Sequence, residues 1–327
     1  MDRSPWPDFF VIGAGKSGTT TLYEVLRQHP QVHVSAEKEP NYFSDAKYSF
    51  RDTAIGKDEY LALYRDAGEH RRRGDFSTSY FLCPQAPARI REHNKAARFI
   101  VILRDPISRA FSDYLMFSRR DKLIHRDFIT EVRCELDRLR AGRTEWPFLV
   151  KTGLYYANIR NFLDHFPKER FLFLTMNDLN RSPRCVYRRV CEFIDIDVLP
   201  ISEQQLRKKR NRFAELRSTR LRRLLSGNRV TRLLAQVTPA GLKSVLKTVR
   251  QRIVFRETER PKMPEAAWPL LQSVFEEDLR SLQALIGFDV SQLQDGWPRR
   301  QKKHPEGHAG SGLAASAEPL TINSSRH

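Results

Sequence analysis

At 327 residues the chain is long enough for one large domain or two small ones, and its 57 Lys and Arg against 39 Asp and Glu leave a net charge of +18. No Pro/Gly/Ser linker precedes residue 299 and no repeat period is present, so the reading is one domain over 1–298 and a disordered tail over 299–327. The four cysteines, Cys83, Cys134, Cys185 and Cys191, form no CxxC pair and no zinc spacing, so no disulfide framework is implied and reduced thiols are the simplest reading.

The first element is an apolar strand, Phe9 to Ile12, that runs into a glycine-rich turn. Gly13, Gly15 and Gly18 let the backbone turn tightly and approach a ligand. Leu22, Val25 and Leu26 then repeat at the spacing of one buried helix face. Such a turn aims backbone N–H groups and a helix N-terminus at one spot, which favours an anion such as phosphate. A Walker A loop places lysine directly after its last glycine. Here Thr19 stands in that place and the lysine is Lys16, inside the loop. Thr19, Thr20 and Thr21 supply hydroxyls at the helix start. The loop is therefore read as a phosphate grip that does not hold a nucleoside triphosphate and Mg²⁺ in the Walker manner.

Next comes AEKEPNYFSD (36–45), with Glu39 placed before Pro40 and the aromatics Tyr42 and Phe43. Pro40 disfavours helix at Glu39 and stiffens the loop. The segment GDFSTSYF (74–81) supplies Asp75, Ser77 and Ser79 as candidates to line an acceptor cleft.

The second strong signal is RFIVILRDPISRAFSDYLMF (98–117). Its apolar run Phe99–Leu103 suits a strand buried on both faces of a parallel sheet. Arg104 then falls at the carboxyl end of a central strand, where open α/β sheets bind ligands. Arg109 and Ser112 follow on a helix. An arginine fork and a serine hydroxyl in this position suit a second phosphate.

A third strand is predicted at Arg170–Thr175, a helix over Cys185–Ile194 and a last helix over Glu265–Ile286. Alternating strands and helices point to an α/β fold with a parallel sheet. Between them, residues 202–260 hold seventeen Lys and Arg against four Asp and Glu, and leucines recur there at helical spacing. This reads as a basic helical insertion, suited to an anionic membrane surface, a polyanion or the nucleotide, or to two helices with solvated basic faces.

Taken together, GAGKSGTTTL, KEPNYF and RDPISRAFSDY resemble the sulfotransferases that use 3′-phosphoadenosine 5′-phosphosulfate (PAPS), closest to the heparan-type carbohydrate enzymes and their bacterial relatives. GLYYANIRNFLDHFP (153–167) and the segment ending NDLNRSP (177–183) look like the same family. The resemblance implies a P-loop-like, three-layer α/β fold with a central, mostly parallel sheet. It assigns the 5′-phosphosulfate to Gly15, Lys16, Ser17, Gly18, Thr19, Thr20 and Thr21, and the 3′-phosphate to Arg104 and Ser112. Lys16 is then the cation beside the leaving oxygen, and Glu39 the general base. The implied reaction moves a sulfuryl group to a hydroxyl or amine of a carbohydrate, glycolipid or small molecule, without a metal. The product is adenosine 3′,5′-bisphosphate (PAP). The family places a last nucleotide-contacting loop before its C-terminal helix, which nominates Arg256 and Arg260. One departure stands out: an active-site lysine of the heparan-type enzymes is replaced here by Phe76.

Two other readings compete. A P-loop nucleotide or small-molecule kinase requires ATP, Mg²⁺ and a metal-holding acid such as Asp105. A nucleic-acid-binding protein would use the basic region, but no helix-turn-helix, zinc or RNA-recognition signature is present, and no specific nucleic acid is expected. His29, His33 and His93 read as structural. The opening MDRSPWPDFFVIG reaches the first strand almost at once and leaves no room for a signal peptide or an anchor helix. The expectation is a cytoplasmic enzyme, peripheral to the inner membrane face if the basic region binds lipid.

Overall fold

The computed structural model describes residues 4–49, 55–68, 70–119, 123, 125, 127–207, 214–216, 255–257 and 261–298. A five-stranded sheet forms the centre, built from β1 (Phe9–Gly13), β2 (Val32–Val34), β3 (Arg72–Asp75), β4 (Arg98–Leu103) and β5 (Phe171–Thr175). The order across the sheet is β2-β3-β1-β4-β5, and every pairing is parallel. The α/β reading of the sequence is therefore correct.

The continuous apolar runs have a direct cause. Along β1 and β4 alternate side chains enter opposite cores: Phe10, Ile12, Phe99, Val101 and Leu103 face one layer, and Phe9, Val11, Ile100 and Ile102 the other. A parallel strand covered on both faces has no polar side. One covering layer contains α1 (Thr19–Leu26) and α8 (Pro183–Ile194). The other contains α3 (Ala86–His93), α6 (Tyr155–Leu163) and α10 (Ala267–Ile286). Beside the sheet, α4 (Pro106–Arg119) and α5 (Phe128–Arg140) bury Ile107, Phe111, Val132 and Leu136 with Leu271 and Phe275 of α10. Short helices α2 (Lys57–Ala62), α7 (Met176–Arg181) and α9 (Glu203–Arg207) complete this layer structure.

Two helix starts differ from the sequence reading, that of α8 and that of α10, which begins at Ala267 rather than Glu265. The helix expected from Cys185 starts at Pro183, a residue suited to a first helical turn. Just before it, α7 is separately closed by a capping box between Thr175 and Asp178. Strands β2 and β3 were not anticipated.

The last described segment crosses the carboxyl edge of the sheet. Thr175, at the end of β5, donates to Gln292 at 3.0 Å. Trp297 donates its indole N–H to Asp105, just beyond β4, at 2.9 Å. Of the basic insertion, residues 202–207 with α9, Ala214–Leu216 (β6) and Phe255–Glu257 (β7) are described, and the two strands pair antiparallel. Arg256 lies in β7; Arg260 and the tail 299–327 lie outside the described residues. Among the described residues, no helix is long and apolar enough to cross a membrane.

Candidate active site

Strand order reverses between β1 and β4, whose connections leave toward opposite edges of the sheet. The crevice outside their carboxyl ends is the place where such sheets bind ligands. Three sequence segments meet there.

The first is the loop from Gly13 to Gly18. Its backbone takes left-handed values at Lys16 (φ 67°) and Gly18 (φ 97°). Gly18 is the N-cap of α1, and no side chain caps that helix. The first N–H groups of a helix have no partner within it, so this end is open to an anion. Ser17 is fully buried, yet its hydroxyl has no hydrogen-bond partner. A buried unpaired hydroxyl is costly, and a phosphate oxygen would satisfy it. Thr19 is buried and Thr20 half-buried at the helix start. Thr21 faces the seam with Leu179, Val186 and Tyr187 instead.

The second segment starts at Arg104. Its Nη1 donates to the carbonyl of Lys16 at 3.1 Å, which fastens the end of β4 to the loop. The hydroxyl of Tyr155 donates to the Arg104 carbonyl at 2.7 Å. Ser112 is half-buried on α4. One turn further on, Met116 receives the Lys16 ammonium at its sulfur, 3.6 Å away. Ser112 and Met116 are four apart and share a helix face, which puts Ser112 on the side of α4 that Lys16 approaches.

Arg109, the other arginine nominated for phosphate, is elsewhere. It is fully buried, paired with Asp113 at 2.5 Å and bonded to the Leu149 carbonyl. Its guanidinium faces the packing between α4 and the chain at Leu149. Burial holds the Asp113 carboxyl above the usual range despite that partner. Asp105 is likewise occupied: it accepts from Ile107 N, Ser108 N and Trp297 and so caps α4. The kinase reading required that carboxylate for a metal. Among the described residues, no cluster of His, Cys, Asp and Glu has the form of a metal site.

The third segment carries Glu39. Pro40 follows it, and both Glu39 (φ 66°) and Asn41 (φ 58°) are left-handed. Glu39 N–H donates to the Phe76 carbonyl at 3.0 Å. Its carboxylate receives the Lys38 ammonium at 2.6 Å on Oε1 and the Thr78 N–H at 2.8 Å on Oε2. The Thr78 hydroxyl lies 3.1 and 3.2 Å from the two oxygens. Lys38 and the Thr78 N–H and hydroxyl hold the carboxylate in one orientation. The carboxylate side chain is 28 % exposed, so a substrate can reach it. Thr78 also faces the phosphate loop: a Cβ on Gly15 would stand 3.9 Å from its hydroxyl.

Asp75, Ser77 and Ser79 do not line a cleft. Asp75 is fully buried and accepts from Tyr60, Tyr80 and Ser77 at 2.7, 2.8 and 2.6 Å. Burial pushes its carboxyl up to about 6. Ser77 accepts from the Asn41 N–H, and Ser79 donates to the Asn41 side chain. These residues brace the loop that presents Glu39. Thr78 is the member of GDFSTSYF that reaches the site, and the sequence reading passed over it. The histidines are structural: His29 and His33 bond the carbonyls of Asp197 and Leu63, and His93 stacks on Trp6.

Comparison with known proteins agrees with this geometry. Residues 6–230 match the model of the family described as "Sulfotransferase domain". The chain is 33% identical over 197 residues to heparan sulfate glucosamine 3-O-sulfotransferase 3B1 of Mus musculus, covering 58% of this chain and 46% of that one. It is 29% identical over 255 residues to carbohydrate sulfotransferase 15 of Homo sapiens, covering 61% and 45%. The chain thus spans about half the length of the curated relatives it matches. A sulfotransferase structure from Alicyclobacillus acidocaldarius shares the fold, with a TM-score of 0.63, 22% identity and coverage of 88% of this chain and 99% of that one. With more than half of its length matched by the family, the chain belongs to the sulfotransferases and is a transferase.

Proposed function

We propose that this enzyme transfers a sulfuryl group from PAPS to a hydroxyl of a carbohydrate acceptor, with Glu39 as general base. The observation that carries the reading is the position of Thr78, whose hydroxyl bonds the Glu39 carboxylate and lies 3.9 Å from where a Cβ on Gly15 of the loop would stand. A base and an anion grip placed side by side serve a reaction at a group held by the loop. The named activities of the relatives, on heparan sulfate glucosamine and on carbohydrate, support the acceptor class.

PAPS, when bound, supplies the sulfuryl group and carries the leaving PAP. The residues present fit it: the orphaned Ser17 hydroxyl, the uncapped start of α1, Lys16, Thr19 and Thr20 suit the 5′ end, and Arg104 with Ser112 suits the 3′-phosphate. Lys16 neutralises negative charge at the loop. Glu39 accepts the acceptor's hydroxyl proton, and Lys38 and Thr78 hold the carboxylate in one orientation. Donors aimed at the transferring group's oxygens, the role given to the loop residues, contribute about 3–4 kcal/mol each to transition-state stabilisation in other enzymes. The test is calorimetric titration with PAP beside ATP–Mg²⁺, followed by sulfation assays on carbohydrate acceptors. Binding of ATP–Mg²⁺ without PAP would overturn the reading.

A further inference from the structure

The loop that carries Glu39 is held in a strained backbone shape. Glu39 (φ 66°) and Asn41 (φ 58°) are both left-handed, on either side of Pro40. Residues other than glycine persist there only where their neighbours over-determine them. The bonds that do so are few. The Asn41 side-chain amide donates back to the Glu39 carbonyl at 2.8 Å, and its oxygen receives the Ser79 hydroxyl at 2.6 Å. The Asn41 backbone N–H donates to the Ser77 hydroxyl oxygen at 3.0 Å. A hydroxyl has one proton, and that of Ser77 goes to Asp75 Oδ1 at 2.6 Å. Asp75 therefore decides which way the Ser77 lone pairs face. A second arm runs from Asp75 Oδ2 to the Tyr80 hydroxyl, 2.8 Å away, and on to the Phe43 N–H at 3.5 Å.

Asp75 is fully buried, and among the described residues no Lys, Arg or His pairs with it. The hydroxyls of Tyr60, Tyr80 and Ser77 all donate to it. The ionisable groups facing it are Tyr60 and Tyr64 from the α2 side, Tyr80 and Glu39. Burial raises all three phenols well above their usual range, so they stay neutral. The Glu39 charge repels that of Asp75. An ionised carboxylate can accept all three hydroxyls. A protonated one cannot, because its own O–H meets groups that are already donating and one of them has to turn away.

Resting on the proposed role of Glu39 as general base, we infer that Asp75 is a positioning residue for that base: its ionised carboxylate, acting through Ser77 and Asn41, fixes the backbone that aims Glu39 at the acceptor. Fully buried, Asp75 itself reaches no substrate. Burial puts its titration at about 6, so turnover falls as the pH drops through that value. Stability moves the other way, because a carboxyl raised in the folded chain stabilises it most when protonated.

The test compares the full-length wild type with Asp75→Asn and Ser77→Ala, each also combined with Glu39→Gln. Asp75→Asn keeps the shape without the charge. Ser77→Ala cuts one arm, leaves Asp75 with its tyrosines and decides the question if Asp75→Asn does not fold. In sulfation kinetics kcat should fall about 10- to 100-fold in either variant, the cost of a misplaced catalytic group, while PAP affinity stays within about twofold. In the Glu39→Gln background neither change should lower kcat further, because both act through Glu39. The wild-type kcat should drop below about pH 6 with no drop in melting temperature, and Asp75→Asn should lack that limb. Amide exchange should quicken in residues 36–45 of both variants and stay unchanged in the loop 13–18. Unchanged kcat and exchange in Ser77→Ala, or an acid limb that persists in Asp75→Asn, would overturn the inference. Protection lost evenly along the chain would make Asp75 a core residue only and overturn it too. Wild-type turnover in Glu39→Gln would defeat the base assignment alone, because exchange quickened only in residues 36–45 would still uphold Asp75 as the residue that positions the loop.

Discussion

The guanidinium of Arg104 donates to the main-chain carbonyl of Lys16 across 3.1 Å, joining residues 88 positions apart. One bond thus connects the loop after β1 to the end of β4. The arginine orients the loop, and in the proposed reading it also serves the 3′-phosphate.

Arg104→Ala should weaken PAP binding by about 10- to 100-fold, the range for loss of a hydrogen bond to a charged group. Calorimetry with PAP measures this directly. Unchanged affinity would remove Arg104 from the nucleotide site.

Glu39→Gln keeps the shape and most of the hydrogen bonds but cannot take a proton. Turnover should fall about 10²- to 10⁴-fold, the usual contribution of a general base, while PAP affinity stays within twofold. A single-turnover sulfation assay separates the two effects. Retained turnover would exclude Glu39 as the base.

Thr78 acts through Glu39 and is a positioning residue. Thr78→Val removes the hydroxyl donor but leaves the backbone N–H bond. We expect kcat to fall about tenfold, with KM for PAPS little changed. Thr78→Ser should restore most of the loss. A merely structural role would lower stability without this split between kcat and KM.

Stability should respond to pH through buried carboxylates. Asp278 accepts the N–H groups of Tyr155 and Tyr156, and burial raises it to about 7. Burial likewise raises Glu135 to about 7. A carboxyl raised in the folded chain binds its proton there before it does so unfolded. Its stabilising contribution is therefore complete below about pH 4 and is lost as pH rises through 7, at up to about 1.4 kcal/mol per pH unit for each group. The melting temperature should rise between pH 7.5 and 5.5, and Asp278→Asn should flatten that slope. A wild-type melting temperature that falls over this interval would refute the assignment.

Gly74 in β3 has no room for a side chain, because a Cβ there would meet the Phe9 ring at 2.3 Å. Gly74→Ala should destabilise the fold by about 1–3 kcal/mol, the cost of overpacking a core. Chemical denaturation would show it as a lower midpoint.

The central strands were legible because a parallel strand covered on both faces must be apolar throughout. Phe9–Gly13, Arg98–Leu103 and Phe171–Thr175 meet that condition. Strand β3 reads Arg-Arg-Gly-Asp and carries no such signal; pairing with β1 and β2 alone makes it a strand. The loop and Arg104 were legible because glycine spacing and a charge at a strand end are local features. The brace around Glu39 was not. Asp75 looked like a cleft acid, and only the tertiary fold places Tyr60 and Tyr80 on it. Thr78 was one hydroxyl among several in its segment. Arg109 could not be told from a ligand arginine until Asp113 and Leu149 were seen to enclose it.

The contacts of Gln292 and Trp297 impose an order of assembly. Asp105 caps the helix after β4, yet one of its partners arrives 192 residues later in the chain. Thr175 waits for a residue 117 positions on. During synthesis, the carboxyl edge of the sheet stays unlatched until this late segment emerges. Such distant closure slows folding and leaves the half-built edge exposed. A ribosome stalled before residue 292 would carry a chain whose phosphate loop is made but whose floor is still loose.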